Sequence, residues 1–374
     1  MKKTSYFYLI LFLFLWSCHL QEDQPMTECG VHINYDAVQN GDFELNDVTY
    51  IPLETNDRSL LGDINKVLFK NGKIYVLDKN GNSGVYIFDQ AGHFLSAINK
   101  QGEAPDEYIE LMDMDVDHEG NVYIADNARM NLMKYDPAHS KLQETIHVGK
   151  HFFEFVWLKE NSFLLRDVFG PDGLEMKLAH FDVTSQSLVP LIKKNTTSVN
   201  EMNIMKCSKH YLYRSNDQIY YNNRFTPYIY SLSEEGKIIP AYTISSDSYI
   251  QEDELKNLEN NPMKFIQETT YIKDIISLYE NDQYFICSPF INPSANYLLI
   301  PKKSPDTTRK INLMDKKEFT GASPIVGVCN NQFVVLLNPT NIHEEIRNNN
   351  PILNTLGEDA NFVLMLFTIQ SIVR

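Results

Sequence analysis

Asp113, Asp115 and Asp117 stand at alternate positions, with Met114 and Val116 between them. Carboxylates this close could hold a hard cation such as calcium, which takes about six to eight oxygen ligands. The run does not complete an EF-hand loop. That loop needs Gly at its sixth position and Glu at its twelfth, where this chain has His118 and Ile124. Alternation fits a strand better, with acids on one face and apolar residues on the other. Just upstream, Glu107 and Tyr108 are candidates for binding a ligand, and Arg129 and Arg166 could meet an anion or a sugar acid. Tyr108 and Phe169 could stack on sugars. The ten His residues do not cluster. His343-Glu344-Glu345 lacks the second His of the helical zinc motif, and no nucleophile-elbow pattern pairs Ser with His.

A repeat positions these residues. The stretch Asn71–Asp89 recurs as Glu119–Asp136, with Gly72 matching Gly120, Tyr75 matching Tyr123 and Asp78 matching Asp126. Each copy reads as a turn, an apolar strand ending in Asp, a short loop, and a second strand ending in aromatic-Asp. Asp78 and Asp126 suit the capping of a turn. A unit this small cannot bury both faces of its own sheet. A period of about 40–50 residues therefore points to an array such as a β-propeller.

Counting strands gives six four-stranded antiparallel blades. Blade one is expected at 63–69, 73–78, 85–89 and 93–98, its first pair joined by the hairpin signal Asn71-Gly72. Blade two is expected at 113–117, 121–126, 132–136 and 141–148, and blade three at 152–158, 162–167, 176–182 and 187–192. Blade four is diverged, with strands expected at 205–208, 211–214, 219–222, 228–233 and 237–244. A charged stretch at 248–267 reads as a helical insertion. Blade five is expected at 272–279, 283–288, 296–300 and 307–312. Blade six shows only 324–329, 332–338 and 361–369, with a helix at 343–348. The orphan strand Val48–Leu53 supplies its fourth strand and closes the ring, which removes the exposed edges of an open array. Asp113 and Asp115 then fall on an innermost strand, where they either hold a divalent cation in the central channel or form a solvated wall. Most of the 21 Tyr and 21 Phe are expected between blades.

The formal net charge of −16 repels phosphate and argues against nucleic-acid binding. Lys2 and Lys3 precede an apolar run, Tyr6–Trp16, that is too short to span a bilayer of about 30 Å as a helix. Residues 1–17 read as a signal peptide, 18–46 as a polar tether and 47–374 as the propeller. Leu15-Trp16-Ser17-Cys18 resembles a lipoprotein lipobox, which implies cleavage before Cys18, lipidation of its sulfur and membrane anchoring. Glu22 and Asp23 resemble the acidic export signal of surface lipoproteins. Cys29, Cys207, Cys287 and Cys329 show no metal spacing. The last three sit in or beside apolar runs and read as buried free thiols.

The run Gly120-Asn-Val-Tyr-Ile-Ala-Asp126 is similar to the NHL-repeat pattern. Gln101-Gly-Glu-Ala-Pro-Asp-Glu-Tyr108 resembles the Gly-x-Gly-Pro-Gly-Glu-Tyr loop of six-bladed propeller lipoproteins of Bacteroidota, with Ala104 and Asp106 in place of two glycines. The resemblance covers about residues 46–374. It implies an outer-membrane, cell-surface lipoprotein but no particular reaction. Two functions remain open. One is a binding or scaffolding module for a glycan, peptide or protein partner. The other is a metal-dependent lyase or lactonase with its site in the channel.

Overall fold

A computed structural model of the chain describes residues 30–194, 204, 206, 208–215, 218–233, 236–291, 296–319 and 324–372. The expected signal peptide, Cys18, Cys29, Cys207 and half of the strand expected at 205–208 lie outside them. The described chain starts with β1 (Val31–Asn34) and β2 (Asp42–Pro52). Blade one is β3 (Ile64–Lys70), β4 (Lys73–Asp78), β5 (Gly84–Asp89) and β6 (Phe94–Ile98). Blade two is β7 (Leu111–Val116), β8 (Val122–Asp126), β9 (Asn131–Asp136) and β10 (Lys141–His147). Blade three is β11 (Glu154–Lys159), β12 (Ser162–Gly170), β13 (Gly173–Asp182) and β14 (Ser187–Lys193). Blade four is β15 (Leu212–Ser215), β16 (Gln218–Asn222), β17 (Tyr228–Leu232) and β18 (Ile238–Ser245). Helices α1 (Glu252–Leu258) and α2 (Pro262–Gln267) follow, inside the expected insertion. Blade five is β19 (Asp274–Glu280), β20 (Tyr284–Phe290), β21 (Asn296–Pro301) and β22 (Arg309–Asn312). Blade six has β23 (Ile325–Cys329), β24 (Gln332–Leu337), short helices α3 (Glu344–Asn349) and α4 (Pro351–Asn354), and β25 (Val363–Ile372).

The six-bladed propeller is present, and the ring closes as the strand count requires. The sheet order β2-β25-β24-β23 makes the N-terminal strand the outer strand of blade six. Its register runs from Asp42 opposite Ile372 to Pro52 opposite Val363. Asn71 and Gly72 both take positive φ, 52° and 69°, which is the backbone a two-residue hairpin turn needs. Gly92 sits where blade one meets the closing strand. A Cβ there would lie 2.1 Å from Pro52 O, so only glycine allows this approach.

The N-terminal segment departs from expectation. The fold begins before residue 47, since the supposed tether already forms β1 and part of β2. β1 adds to the outer edge of blade four as a fifth strand, pairing in parallel with β18 from Val31 opposite Tyr242 to Asn34 opposite Ser245. Burial of Ile33 holds it there and covers an edge that would otherwise be open to pairing.

The apolar cores lie between blades. One joins blades one and two, one joins two and three, one joins three and four, and one joins six and one. The largest runs through blades four, five and six and includes Ile33 and Phe43 of the N-terminal segment. Aromatic pairs bridge the seams, as Tyr123 of blade two does with Phe163 of blade three, centroids 5.3 Å apart. Cys287 and Cys329 are free thiols, the first buried and the second half-buried.

Candidate functional site: the central channel

The innermost strand of each blade has one edge without a ladder partner, facing the axis. Alternate residues on such an edge direct N–H and C=O groups at the channel, and buried ones need partners. Side chains of neighbouring blades supply them. Asp113 Oδ2 accepts from Phe155 N at 3.0 Å, and Asp115 Oδ2 accepts from Trp157 N at 2.7 Å. The two acids are two residues apart, and so are the two amides, so the side-chain period of β7 matches the free-amide period of β11. Glu154 continues the relay, accepting from Tyr211 N at 3.0 Å and Leu212 N at 2.9 Å at the start of blade four. In the other sense, Lys66 Nζ donates to Met114 O at 2.9 Å and Lys70 Nζ to Val116 O at 2.7 Å. Arg214 Nη2 donates to Trp157 O at 2.7 Å.

These buried charges are also paired. Lys66 Nζ lies 3.0 and 3.1 Å from the two Asp113 oxygens, and Arg214 Nη2 lies 3.1 Å from Asp115 Oδ2. Burial pushes the Asp115 carboxyl up, but Arg214, Lys66 and Lys70 outweigh it and hold the group below the usual carboxylate range. Arg166 Nη2 lies 2.7 Å from Glu154 Oε1. Burial also opposes ionisation of Glu154, yet Arg166, His210 and the two amides bring it down to about 2. Asp113 and Asp115, the expected cation ligands, reach the inner edge of blade three, and this donor set does not fit a divalent cation. Protein cations stand where the ion would sit, and one oxygen of each aspartate already accepts a backbone N–H of blade three. Among the described residues, no group of three or more His, Cys, Asp or Glu is placed to hold a metal ion.

The other sequence candidates hold blade junctions. Tyr108 is fully buried. Its hydroxyl donates to Ser83 O at 2.5 Å and accepts from Lys100 N at 3.1 Å. Glu107 Oε2 accepts from Ala104 N at 2.9 Å, which closes its own loop. Arg129 donates to Glu107 O, to Glu103 O at 2.9 Å, and pairs with Asp126 at 3.5 Å. Glu107, Tyr108 and Arg129 therefore form one cluster between blades one and two. Arg166 is apart from them, buried in blade three between Glu154 and Asp167, with its guanidinium 4.9 Å from the Tyr211 ring centroid. Phe169 stacks on His151 at 5.3 Å. Asp78 and Asp126 play matching parts in successive blades. Asp78 accepts from Gly62 N at 2.7 Å and Asp126 from Glu110 N at 3.1 Å, and each fixes the loop that enters its blade.

The open part of the channel lies elsewhere. Blades one and four stand opposite each other, yet they touch at the face where the innermost strands begin. Lys209 Nζ lies 2.6 Å from Asp63 Oδ1 and 2.9 Å from Ile64 O, and His210 Nε2 bonds Asn65 O. This strut crosses the channel mouth. On the side of blades two and three the channel is filled by the relay. On the side of blades five and six it leaves a cavity of about 520 Å³ lined by residues of blades one, four, five and six. Ile276, Val326, Leu336 and Phe362 are only half-buried and face this space. A β-bulge in β19 puts Ser277, with φ 56°, on the wall; bulges of this kind are common next to binding sites. A second cavity of about 270 Å³ opens at the other face, and Val67, Leu68 and Arg214 line both.

Lys209, His210 and Arg214 escape the sequence reading because blade four is diverged and its boundaries are blurred, and Ser277 of blade five because its place on the wall depends on a bulge. One signal was available: a charged residue inside an innermost strand, as Lys66, Asp115 and Arg214 are, marks a side chain that must find a partner at the axis.

Glu154→Gln keeps the shape of the relay and removes the charge facing Arg166. Breaking a buried pair costs about 3–5 kcal/mol, so the variant should lose about that much stability near neutral pH. The native carboxyl titrates at about 2 against an ordinary value of 4.5. Its contribution is therefore complete above about pH 4.5 and fades as the pH falls towards 2. Urea melts across that window should show a larger acid loss in the wild type than in the variant, which keeps only the share of the other carboxylates.

Comparison with solved structures gives the same fold. A Bacteroides fragilis protein described as exported superposes with a TM-score of 0.71 at 17% identity, covering 91% of this chain and 99% of its own. A member of the DUF4221 family from Bacteroides vulgatus gives 0.55 at 12% identity, covering 89% and 100%. At such identities the likeness is one of fold. No curated protein matches the sequence. The model of one family, a domain of unknown function, matches residues 34–368, nearly the whole of the closed ring. The chain belongs to the DUF4934 family.

Proposed function

We propose that this protein is a membrane-anchored binding module of the cell envelope that holds a small ligand, or the end of a larger one, in the off-centre cavity of its channel. The cavity carries the reading. It is of the size of small-molecule sites, which run to roughly 300–1,000 Å³. It combines half-buried apolar side chains with a few polar groups, and the side of blades two and three is filled by paired charges. Lipidation of Cys18 would tether the ring by its N-terminal side. Support comes from the lipobox-like sequence and from the exported relative in Bacteroides fragilis. No described helix is long and apolar enough to cross a membrane. A glycan terminus, a peptide terminus and a small metabolite all suit a site of this size.

Two experiments test the reading. Val326→Trp places a bulky ring into the cavity from a half-buried position on β23. In a screen of glycans, peptides and small acids, compounds that raise the melting temperature of the wild type should lose that effect in a folded Trp variant. Equal effects in both proteins would place binding elsewhere. Cys18→Ala should move the full chain from the membrane fraction to the soluble fraction, and unchanged fractionation would refute the anchor.

A further inference from the structure

The charges on the cavity wall run against those of the whole molecule. The chain carries a net charge of −16. The wall of the large cavity nevertheless presents Lys66, Lys209 and Arg214 against a single acid, Asp63. That acid sits at the rim in the strut with Lys209. Asp113 and Asp115 do not line this cavity, but each pairs with one of its cations, Lys66 and Arg214, from the side of blades two and three. What favours an anion in such a low-dielectric concave site is therefore any cationic N–H donor that these pairs leave unused.

Arg214 is the group placed to meet that anion. It stands at the neck between the two cavities, with a side chain still 18% exposed. Both of its hydrogen bonds, to Asp115 and to Trp157 O, are made by Nη2. Among the described residues, Nε has no partner although it is buried, and no bond is made by Nη1. A guanidinium offers five N–H donors, so most of those on Arg214 are unused. Lys66 differs, since its ammonium already meets both Asp113 oxygens and Met114 O. On the side of blades five and six the wall carries the apolar side chains Ile276, Val326, Leu336 and Phe362, each half-exposed to the cavity.

We infer that the cavity takes an apolar carboxylate: a short apolar body that fills the space beside blades five and six, with one terminal carboxylate at Arg214. The inference rests on the cavity being the binding site. A peptide C-terminus with apolar residues and a free alkanoic acid share this chemistry. Arg214 reads the charge, the apolar wall reads the body, and the strut of Lys209 and His210 with Asp63 and Asn65 borders the entrance.

The test uses the full chain and two matched pairs, octanoate against octanamide and acetyl-Val-Leu-Leu with a free against an amidated C-terminus, measured by calorimetry. The acid of at least one pair should bind more tightly than its neutral partner by roughly 10- to 100-fold, the range of a charge-assisted hydrogen bond. The pair that binds identifies the source. Arg214→Gln should abolish the difference, bringing the affinity of the acid down to that of its neutral partner. Should that variant fail to fold, Val326→Trp with Arg214 intact should lose both members of the pair. The wild-type preference for the acid should also shrink as salt rises. Equal binding of acid and neutral compound, lost in Val326→Trp, would overturn the carboxylate and leave the cavity standing as the site. Binding of the acids that Val326→Trp does not alter would overturn both.

Discussion

The structure depends on how the inner edges of its blades are satisfied. A closed propeller removes the outer edges of an open sheet array, but it turns six unpaired strand edges towards its own axis. Left bare in a narrow channel, those amides and carbonyls would carry the cost of unmade hydrogen bonds, about 1–3 kcal/mol each. Here side chains take the place of the missing strand. Lysines of β3 cap carbonyls of β7, aspartates of β7 cap amides of β11, and Glu154 of β11 caps the amides entering β15. Each carboxylate is then neutralised by Lys66, Arg214 or Arg166. A buried carboxylate is tolerable because it is paired and hydrogen-bonded at once.

This relay also explains why the channel is lopsided. It runs through blades one to four and fills their side of the axis. The strut from Lys209 and His210 to Asp63–Asn65 ties its two ends together across the mouth. Blades five and six contribute apolar, half-buried side chains instead, so the remaining volume collects beside them. Arg214 belongs to both regions. One nitrogen of its guanidinium completes the relay, and among the described residues the other two make no bond. The same side chain is thus part of the scaffold and the group best placed to recognise an anion.

How much of this was legible in the sequence varies with the kind of contact. Blades one and two were, because their hairpins carry local turn chemistry at Asn71-Gly72 and repeat the same Tyr and Asp positions. Ring closure followed from counting strands. The alternation of Asp113 and Asp115 was visible, but its meaning was not. Their partners are the backbone amides of Phe155 and Trp157, and every residue type but proline presents an amide N–H. The same holds for Tyr108, whose hydroxyl is spent on Ser83 O and Lys100 N. β1 was missed because four residues pairing in parallel with a strand some 200 residues away leave no local pattern. The cavity was beyond reach for a related reason. Its walls come from Lys66, His210, Arg214, Ser277 and Val326, which four different blades bring together only when the ring closes.

Amide hydrogen exchange at Phe155, Trp157, Tyr211 and Leu212 tests the relay most directly. These amides lie on strand edges without a ladder partner, so backbone pairing alone gives no reason for protection. The account predicts exchange as slow as that of amides inside the β11–β12 ladder. Exchange at the rate of an open strand edge would contradict it.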